Sequence, residues 1–379
     1  MAPIRVGIIG LGPKGPAFAP GGWASNAHLP PLQQSPSFEI VAVANSSIES
    51  SRTSIASHNL PLTTAAYGSA EDLAKDSNVD LVVVSVRVQK HFELTQAAIK
   101  HGKDVFVEWP LGASLDESEE LTRLAKEAGV KTVIGLQARA GKITAAVKKI
   151  LAEGTIGKVI STHVLANASL LPVDAWWQSG EFYMDMKSGG NAFYIFFGHF
   201  LDSFVDALGD FDTLKATLST QWPTVPLFDA AGQLINPAHP RTAPDHIMVQ
   251  GKLHSGAVAS LSYRHTRSSA DSTSLKWIIS GTQGEMEVEL PEQFQNMEAQ
   301  WQVASANVKL HVRVGREKTE LVDFSWGIHD VAEKLGPTAL NTGLLYEAFA
   351  NGKKEEYATF EDALKTHQLL DRIARAAGW

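Results

Sequence analysis

The sequence predicts an α/β protein with two domains: a doubly wound parallel sheet, followed by an α+β domain whose large sheet is mostly antiparallel. Its 379 residues exceed what one hydrophobic core usually fills. In the first third, short apolar runs alternate with helical patterns, whereas beyond residue 213 apolar runs follow one another without helices between them. We therefore expect domains at residues 1–137 and 138–379.

The first domain is predicted to contain five strands with helices between them. The strands are expected at 4–9, 39–44, 79–86, 104–107 and 132–135, and helices at 50–57, 91–100 and 115–128. The run Leu81 to Val84 has no polar alternation, which is typical of a parallel strand covered on both faces. The third helix has clear ends, because Ser114 and Glu117 have capping-box spacing and Gly129 stands at the C-terminal glycine position.

The second domain is predicted to begin with a helix at 142–152 and to end with helices at 336–350 and 360–377, the last of which can return to the first domain. Strands are expected at 159–168, 214–220, 246–253, 257–263, 275–280, 285–290 and 308–314. The proline- and glycine-rich piece 223–244 is predicted to be a long loop that is flexible or contacts a partner.

Composition excludes several classes of protein. A balance of 33 basic against 41 acidic residues, net −8, argues against a direct nucleic-acid surface. The absence of cysteine excludes disulfides, thiolate metal sites and a cysteine nucleophile, and the 13 histidines show no metal-ligand spacing, so no metal is predicted. No signal-peptide pattern or membrane-spanning run is present, so we expect a cytoplasmic protein with no membrane partner.

The first strand runs into a G-x-G-x-x-G pattern formed by Gly10, Gly12 and Gly15. Glycines allow backbone amides to approach a pyrophosphate without interfering Cβ atoms, so this loop is interpreted as a dinucleotide site. The alternative is a surface loop that only closes the sheet. Prolines at 13, 16 and 20 prevent an immediate helix, so we expect the helix to start after Asn26, near residues 28–32.

The end of the second strand bears on the choice between NAD(H) and NADP(H). An acidic residue there would hold the adenosine ribose hydroxyls of NAD and repel a 2′-phosphate. The sequence instead has Asn45, Ser46 and Ser47, and Arg52 follows within reach. NADP(H) is therefore favoured and NAD(H) stays possible; alternatively, these side chains only cap the next helix.

Several segments together resemble the Gfo/Idh/MocA oxidoreductase family. They are VRVQKHFE at 86–93, GKDVFVEWP at 102–110, GLQAR at 135–139 and GHFLD at 198–202, in that order. The chain is most similar to the branch that contains the fungal galactose-metabolism repressor, through Glu108-Trp109, Leu136 to Arg139 and Pro244-Asp245-His246.

The resemblance implies an N-terminal Rossmann domain, a C-terminal domain whose open sheet often serves for dimerisation, and a substrate held against the nicotinamide. We therefore expect a homo-oligomer that takes a small-molecule substrate. On the cofactor side the resemblance implies seven residues: Val86, Arg87, His91, Glu108, Trp109, Pro110 and Gln137. Helix capping is the alternative role of His91.

The sequence departs from the family pattern at two positions. Family members have a lysine where this chain has Trp109, and an aspartate four residues before a histidine where this chain has Ile195. Trp cannot stabilise an alkoxide by charge, and Ile cannot pass a proton. His199 keeps its motif position and can still act as a general acid or base. Its alternative role is that of a buried histidine at a helix start.

The resemblance places substrate contacts in the aromatic segment 172–198. Aromatic side chains can stack against a sugar ring or enclose a flatter molecule, although such residues more often form ordinary core. Tyr183 is a further candidate for the proton relay. The candidate substrate contacts are Trp109, Arg139, Trp176, Trp177, Asp185, Lys187, Tyr194 and His199. Tyr183, Asp185 and Lys187 could each equally be solvated loop residues, and Arg139 could form a surface ion pair.

Two functions follow from these residues. The first is an NADP(H)-dependent oxidoreductase that passes a hydride between nicotinamide and a carbonyl, imine or sugar-like alcohol carbon. An imine or enone suits the altered proton relay better than a sugar alcohol. The second is a catalytically silent NAD(P)-binding sensor that acts by contacting another protein, as the lost lysine and aspartate suggest.

Overall fold

The computed structural model describes residues 2–15, 21–167, 173–292, 308–324 and 334–379. The chain divides into two compact units, the first formed by Met1–Ala140 with Ile328–His367 and the second by Gly141–Gly327 with Gln368–Trp379. Within the described ranges, no helix combines the length and apolar character needed to cross a bilayer.

The first unit contains a six-stranded parallel sheet in the order β3-β2-β1-β4-β5-β6. Its strands are β1 (Ile4–Ile9), β2 (Phe38–Ala44), β3 (Ala65–Tyr67), β4 (Leu81–Val84), β5 (Asp104–Glu108) and β6 (Thr132–Gly135). Its helices are α1 (Leu29–Gln34), α2 (Ile48–Ser57), α3 (Ala70–Lys75), α4 (His91–Lys100) and α5 (Leu115–Ala128). The predicted doubly wound sheet is confirmed; the sequence prediction missed β3 and α3, which are too short to show a periodic pattern.

Helix α5 has the ends that its sequence predicts. The Ser114 side chain accepts a hydrogen bond from the Glu117 backbone N–H at 3.2 Å, and Gly129 adopts a left-handed conformation with φ +67°. The Glu117 carboxylate accepts from the backbone N–H of Ala113 at 2.8 Å, one residue before the N-cap. Both ends of the helix are therefore satisfied locally.

The helix after the glycine loop begins earlier than predicted. A π-helical turn at Ala24–His28 leads directly into α1, so helical backbone is already present before Asn26. The amide of Asn26 donates to the carbonyl oxygens of Gly22 at 2.7 Å and Gly15 at 3.3 Å, which ties this turn to the loop. Pro30 lies in the first turn of α1 as expected; Pro16 and Pro20 lie outside the described residues.

The second unit is built around an eight-stranded sheet in the order β17-β16-β15-β14-β7-β13-β12-β9. These strands are β7 (Val159–Asn167), β9 (Phe211–Ser219), β12 (His246–Leu253), β13 (Val258–Arg264), β14 (Thr273–Gly281), β15 (Gly284–Pro291), β16 (Lys309–Val314) and β17 (Glu320–Leu321). Only β7 and β13 pair in parallel among these described strands, so the predicted antiparallel character is confirmed. The predicted end of β7 at Ala168 lies outside the described residues.

The helices α6 (Lys142–Ala152) and α7 (Gly198–Leu208) belong to the second unit, while α8 (Pro337–Ala350) belongs to the first. The last helix, α9 (Phe360–Ala376), has its part up to His367 grouped with the first unit and the remainder with the second. Phe200 and Phe204 of α7 pack against the buried Trp277 of β14, so α7 covers one face of the eight-stranded sheet.

The prediction of a long loop at 223–244 is wrong. Strands β10 (Thr224–Phe228) and β11 (Leu234–Pro240) form an antiparallel hairpin there, and β10 also pairs with the short strand β8 (Trp176–Trp177). Val225 and Leu227 alternate along β10 and are buried against Trp176. Proline and glycine suggested a loop, but this two-residue alternation buries enough apolar surface to order the segment.

Candidate functional site

The chain turns sharply where β1 ends, at Gly10. Its φ is +94°, and a Cβ atom at this position would overlap the carbonyl oxygen of Ser85, which follows β4. A side chain is therefore excluded both by backbone conformation and by space. Because β1 and β4 are neighbours at the centre of the sheet, the bend lies at the point where nucleotides bind in doubly wound sheets.

Side chains from the second strand and helix hold the carbonyl groups of this loop. Asn45 Nδ2 and Ser54 Oγ donate to the Leu11 carbonyl at 2.9 and 2.6 Å, and His58 Nε2 lies 2.8 Å from the Gly12 carbonyl oxygen. These contacts occupy the carbonyl oxygens of the loop. Those oxygens are the negative ends of the peptide dipoles and would otherwise repel an anion. The loop is thereby suited to a pyrophosphate.

The predicted adenosine-side residues have two different roles. Asn45 is used internally, and Ser47 caps α2 by accepting a hydrogen bond from the Ser50 backbone N–H at 3.1 Å. The side chains of Ser46, Ser47 and Arg52 are all exposed around the first turns of α2. The N-terminus of α2 and the Arg52 guanidinium are positive groups there, and Glu49 in the first turn of α2 is a negative one.

His91 fastens the loops that follow β4 and β5. Its Nδ1 lies 2.7 Å from the Pro110 carbonyl oxygen, and its Nε2 lies 3.0 Å from the Val86 carbonyl oxygen. Burial lowers the pKa of His91, so the neutral ring donates to one of these carbonyls at a time. His91 thus positions Val86 and Pro110, while the neighbouring Arg87 is exposed.

A buried hydrogen-bond chain ends at the carboxylate of Glu108. His28 Nε2 lies 2.6 Å from Glu108 Oε1, and Gln137 Nε2 donates to both carboxylate oxygens at 3.0 Å. On its other side, His28 Nδ1 lies 2.8 Å from the hydroxyl oxygen of Tyr346 in α8. With a proton on Nε2, His28 donates to the Glu108 carboxylate, and its Nδ1 faces the Tyr346 hydroxyl. Gly135 makes room for the carboxylate, which a Cβ there would overlap.

The side chains of Glu108 and Gln137 therefore belong to this chain of hydrogen bonds. They hold the ends of β5 and β6 in place. The sequence prediction missed His28 and Tyr346. Neither carries a local signal, because they lie 80 and 238 residues from Glu108 and only the fold brings them together.

Trp109, at the position of the family lysine, is buried against a histidine of the last helix. The rings of Trp109 and His367 have centroids 4.6 Å apart, and burial lowers the pKa of His367 to about 3. The pair is thus neutral at physiological pH, and Trp109 replaces a cation with an aromatic surface. Arg139 follows β6 in the sequence. Its Nη1 lies 3.7 Å from Asp362 Oδ1, so the two side chains form an ion pair.

In the second unit, the aromatic segment is partly core. Trp176 is buried and donates from Nε1 to the Gly180 carbonyl at 2.6 Å, whereas Trp177 is half exposed. Tyr183 stacks on Phe196 with ring centroids 5.1 Å apart, and burial raises its pKa to about 12. Tyr183 therefore keeps its phenolic proton at physiological pH and is able to donate it.

His199 is buried in the first turn of α7, directly after a π-helical turn at Phe193–Phe197. Single π-helical turns occur frequently at functional sites. Tyr194 lies within this turn, and burial together with the charge of Asp371 raises its pKa. Ile195, which replaces the family aspartate, is partly buried in the same turn.

The predicted substrate residues Asp185 and Lys187 are exposed. The Asp185 carboxylate accepts a hydrogen bond from the Lys187 backbone N–H at 3.0 Å and another from the Thr242 hydroxyl at 3.2 Å. Asp185 thus holds a turn together.

The sequence prediction also missed a buried polar group in the second unit. Arg241, Asp245 and His265 are each at most 8% exposed and line a recess together with Tyr183. The sequence analysis used the motif Pro244-Asp245-His246 only for the family resemblance and gave it no chemical role. The sequence therefore offered a signal for this buried group that the prediction did not use.

Comparison with protein families matches each half of the chain. A model described as an oxidoreductase family with an NAD-binding Rossmann fold matches residues 4–136, and a model of the Gal80p C-terminal domain matches residues 143–290. Two relatives are a dehydrogenase, aclE, of Aspergillus oryzae and the galactose/lactose metabolism regulatory protein GAL80 of Saccharomyces cerevisiae. The first is 30% identical, covering 99% of this chain and 96% of the relative; the second is 30% identical, covering 76% and 67%.

Solved structures of a Gal80p regulator and of a dehydrogenase resemble the chain. A super-repressor mutant of Gal80p from Saccharomyces cerevisiae has a TM-score of 0.85 at 25% identity, covering 100% of this chain and 96% of its own. A levoglucosan dehydrogenase in complex with NADH and levoglucosan has a TM-score of 0.70 at 19% identity, covering 99% and 97%, and at that identity it shows the fold alone.

We expect Tyr346→Phe to lower the free energy of unfolding by about 1–3 kcal/mol, because it leaves the buried Nδ1 of His28 without its hydroxyl partner. The matched control is Tyr357→Phe, another buried tyrosine of the first unit whose hydroxyl has no hydrogen bond within the described residues. Denaturant unfolding measures both, and equal losses in the two variants would contradict the proposed chain of hydrogen bonds.

Proposed function

The chain belongs to the Gfo/Idh/MocA oxidoreductase family, near its Gal80 branch, and on that premise we propose that it is an NADP(H)-dependent oxidoreductase. Its substrate is a carbonyl, imine or sugar-like alcohol. The observation that carries this proposal is the bend at Gly10, where the close approach to Ser85 and the anchored carbonyls leave a loop suited to a pyrophosphate. The relative that matches the chain almost from end to end is itself named a dehydrogenase.

The residues present fit a nicotinamide dinucleotide. Gly10, Gly12 and Gly15 would hold the pyrophosphate, and the loops fastened by His91 would border the nicotinamide side, with Arg87, Trp109 and Pro110. When bound, the cofactor supplies or accepts a hydride. Glu108 and Gln137 act on this side by fixing the ends of β5 and β6.

NADP(H) is the proposed form of the cofactor. Ser46, Ser47 and Arg52 are exposed around the start of α2, and no acidic side chain stands among residues 45–48. The guanidinium and the helix N-terminus both favour a phosphate over a bare ribose hydroxyl.

His199 and Tyr183 are the proposed proton donors and acceptors. Tyr183 is a neutral phenol at physiological pH, and His199 has the only imidazole at a family catalytic position. With Trp109 and Ile195 replacing the usual lysine and aspartate, no charged group assists them at those two positions. We therefore favour imines and activated carbonyls, which need less proton transfer than a sugar alcohol, and Trp109, Trp176, Trp177 and Tyr194 as the apolar contacts of the substrate.

The second candidate is a catalytically silent sensor that binds the dinucleotide and contacts another protein. It is favoured by the same two substitutions, and by the Gal80 relatives, which are named as regulatory proteins. The two candidates share the cofactor loop and differ in turnover, so a turnover assay separates them.

We expect a panel of imines, carbonyls and sugar alcohols to contain members that change the absorbance of NADPH or NADP⁺ in the presence of the protein. His199→Asn should lower kcat by about 100-fold, as is usual for loss of a general acid or base, without changing NADPH affinity. The control is His254→Asn, an exposed histidine of the same unit. NADPH binding without turnover across the panel would favour the sensor, and full activity of His199→Asn would remove this residue from the mechanism.

For the choice of cofactor, we expect Arg52→Ala to weaken NADPH binding about 10-fold or more while leaving NADH binding unchanged, because the lost contact is charge-assisted and specific to the 2′-phosphate. Arg123→Ala is the control, since Arg123 is an exposed arginine on α5. Titration calorimetry measures all affinities. Equal effects on the two coenzymes would contradict the phosphate site.

We also propose that the chain forms a homodimer through the open face of the eight-stranded sheet. The face opposite to α7 exposes Leu165 at 43%, Met248 at 58% and Val258 at 53%. Leu165 and Met248 lie on either side of Ser262 in the register of the sheet, so the three side chains form one row on this face. Apolar groups in such a row favour an interface.

Sedimentation velocity tests the dimer. We expect the wild-type protein to sediment as a dimer and Met248→Glu as a monomer, because a dimer interface would bury the new charge. Leu62→Glu changes a fully exposed leucine of the first unit and should leave the dimer intact. A wild-type monomer at all concentrations would contradict this interface.

A further inference from the structure

His91 joins two loops that the proposed function places beside the nicotinamide. One loop follows β4 and contains Val86, and the other follows β5 and contains Pro110. His91 is 1% exposed and contacts a backbone carbonyl oxygen in each loop. All three residues belong to the first unit. The protonation state of this one side chain therefore acts on both loops.

The ring of His91 faces two acceptors, although the neutral ring has one proton to donate. Nδ1 lies 2.7 Å from the Pro110 carbonyl oxygen, and Nε2 lies 3.0 Å from the Val86 carbonyl oxygen. A carbonyl oxygen only accepts, so in the neutral ring one of the two contacts sets two lone pairs against each other. The protonated ring donates to both oxygens. The hydrogen bonding is therefore complete in the charged state and incomplete in the neutral one.

The surroundings of His91 act on its charge in both directions. Burial lowers the pKa of His91, whereas the carbonyl oxygens of Pro110 and Val86 and the negative charge of Glu108 oppose this effect. Burial is the largest of these influences, so the ring is neutral in the free protein at physiological pH. We expect the neutral ring to donate to Pro110, the nearer oxygen, which leaves the Val86 carbonyl without a donor from His91.

Other charged side chains stand on the segments around His91. On its own segment and at the start of α5 they are Arg87, Lys90, Glu93, Asp116 and Glu117. On α3 they are Glu71, Asp72 and Lys75. Glu71 lies 2.9 Å from His101, which is at the opposite end of α4 from His91. Glu108 is the charged side chain that acts on the His91 ring.

A dinucleotide at the glycine loop would favour the charged ring. Val86 adjoins the bend of that loop, since a Cβ atom on Gly10 would lie 2.5 Å from Val86 Cγ1. A pyrophosphate is negatively charged, and a nearby negative charge favours protonated histidine. The protonated ring then donates to the Val86 carbonyl as well as to that of Pro110. Dinucleotide binding and protonation of His91 therefore favour each other.

We propose that His91 is a positioning residue that takes up a proton when the dinucleotide binds and then donates to both loops. It acts on the cofactor through Val86 and Pro110. The inference rests on the proposed function, because it requires a dinucleotide beside these loops. It adds a form of regulation to that function: the cofactor binds more tightly in mildly acidic solution.

Titration calorimetry with NAD⁺ tests the coupling, because NAD⁺ lacks the 2′-phosphate, which would itself titrate in the same pH range. The bound protein holds the proton more tightly than the free protein, so the affinity rises as the pH falls through the range in which histidine titrates. We expect NAD⁺ to bind about threefold or more tightly at about pH 5.5 than at about pH 8. At about pH 6.5, binding should take up about 0.3 protons or more per chain, measured by comparing buffers of different ionisation enthalpy.

Variants assign this pH dependence to His91. His91→Asn keeps a neutral donor but cannot take up the proton, so it should lose the proton uptake. His101→Asn, at the other end of the same helix, is the matched control and should keep it. His58→Gln should also keep it, since an amide replaces the N–H that faces the Gly12 carbonyl. Loss of the uptake in His58→Gln, or full uptake by a folded His91→Asn protein, would overturn the proposal.

Nuclear magnetic resonance of ¹⁵N-labelled histidine measures the proton directly, with the His91 signals assigned through its backbone. In the free protein at about pH 8, the ring should have one proton, on Nδ1; with NAD⁺ at about pH 6, both nitrogens should be protonated. A ring that stays neutral in the NAD⁺ complex down to about pH 5.5 would contradict the coupling. If His91→Asn fails to fold, this spectrum and the proton uptake of His58→Gln decide.

The failure of this inference can be distinguished from the failure of the proposed function. NAD⁺ binding without protonation of His91 would reject the coupling alone and leave both the oxidoreductase and the sensor as candidates. Binding of neither NAD⁺ nor NADP⁺ would reject the cofactor site, and the coupling with it.

Discussion

The first unit depends on one steric constraint, the close passage of the chain at Gly10 beside the end of β4. Gly10 has a φ of +94°, and the Ser85 carbonyl oxygen lies where a Cβ atom would be. No other residue can therefore make this bend without moving the neighbouring strand. The bend directs the loop over the carboxyl ends of the central strands. Asn45, Ser54 and His58 then hold its carbonyl groups, and both effects support the proposal that this loop binds a pyrophosphate.

Glu108 in the first unit and Asp245 in the second are both buried carboxylates, and they are stabilised in different ways. Glu108 is surrounded by side-chain donors from His28 and Gln137, which hold the strand ends in place. Asp245 accepts hydrogen bonds from the backbone N–H groups of Gln221 and Trp222, and Nη1 of the adjacent Arg241 has no acceptor within the described residues. Side-chain donors thus stabilise one of these carboxylates, and mainly backbone donors stabilise the other.

Much of the fold could be predicted because its signals are local. The uninterrupted apolar run of β4, the capping residues of α5 and the alternation in β12 and β13 each specify their own element. The glycine pattern and the altered positions Trp109 and Ile195 could also be recognised from the sequence alone. Elements shorter than one period, such as β3, gave no pattern, and the prolines of β11 concealed a strand whose pairing with β10 decides its conformation.

The sequence by itself determined the fold class, the longer elements and the glycine pattern after β1, since backbone propensity and hydrophobic period act between residues that are close along the chain. Only the tertiary structure decided which polar groups are buried together. Tyr346 reaches His28 across 318 residues, and Trp109 meets His367 across a similar span. The Nη1 atom of Arg241 became buried without an acceptor only when segments far apart in sequence closed around it. Desolvation depends on the whole fold, so no local pattern could have shown it.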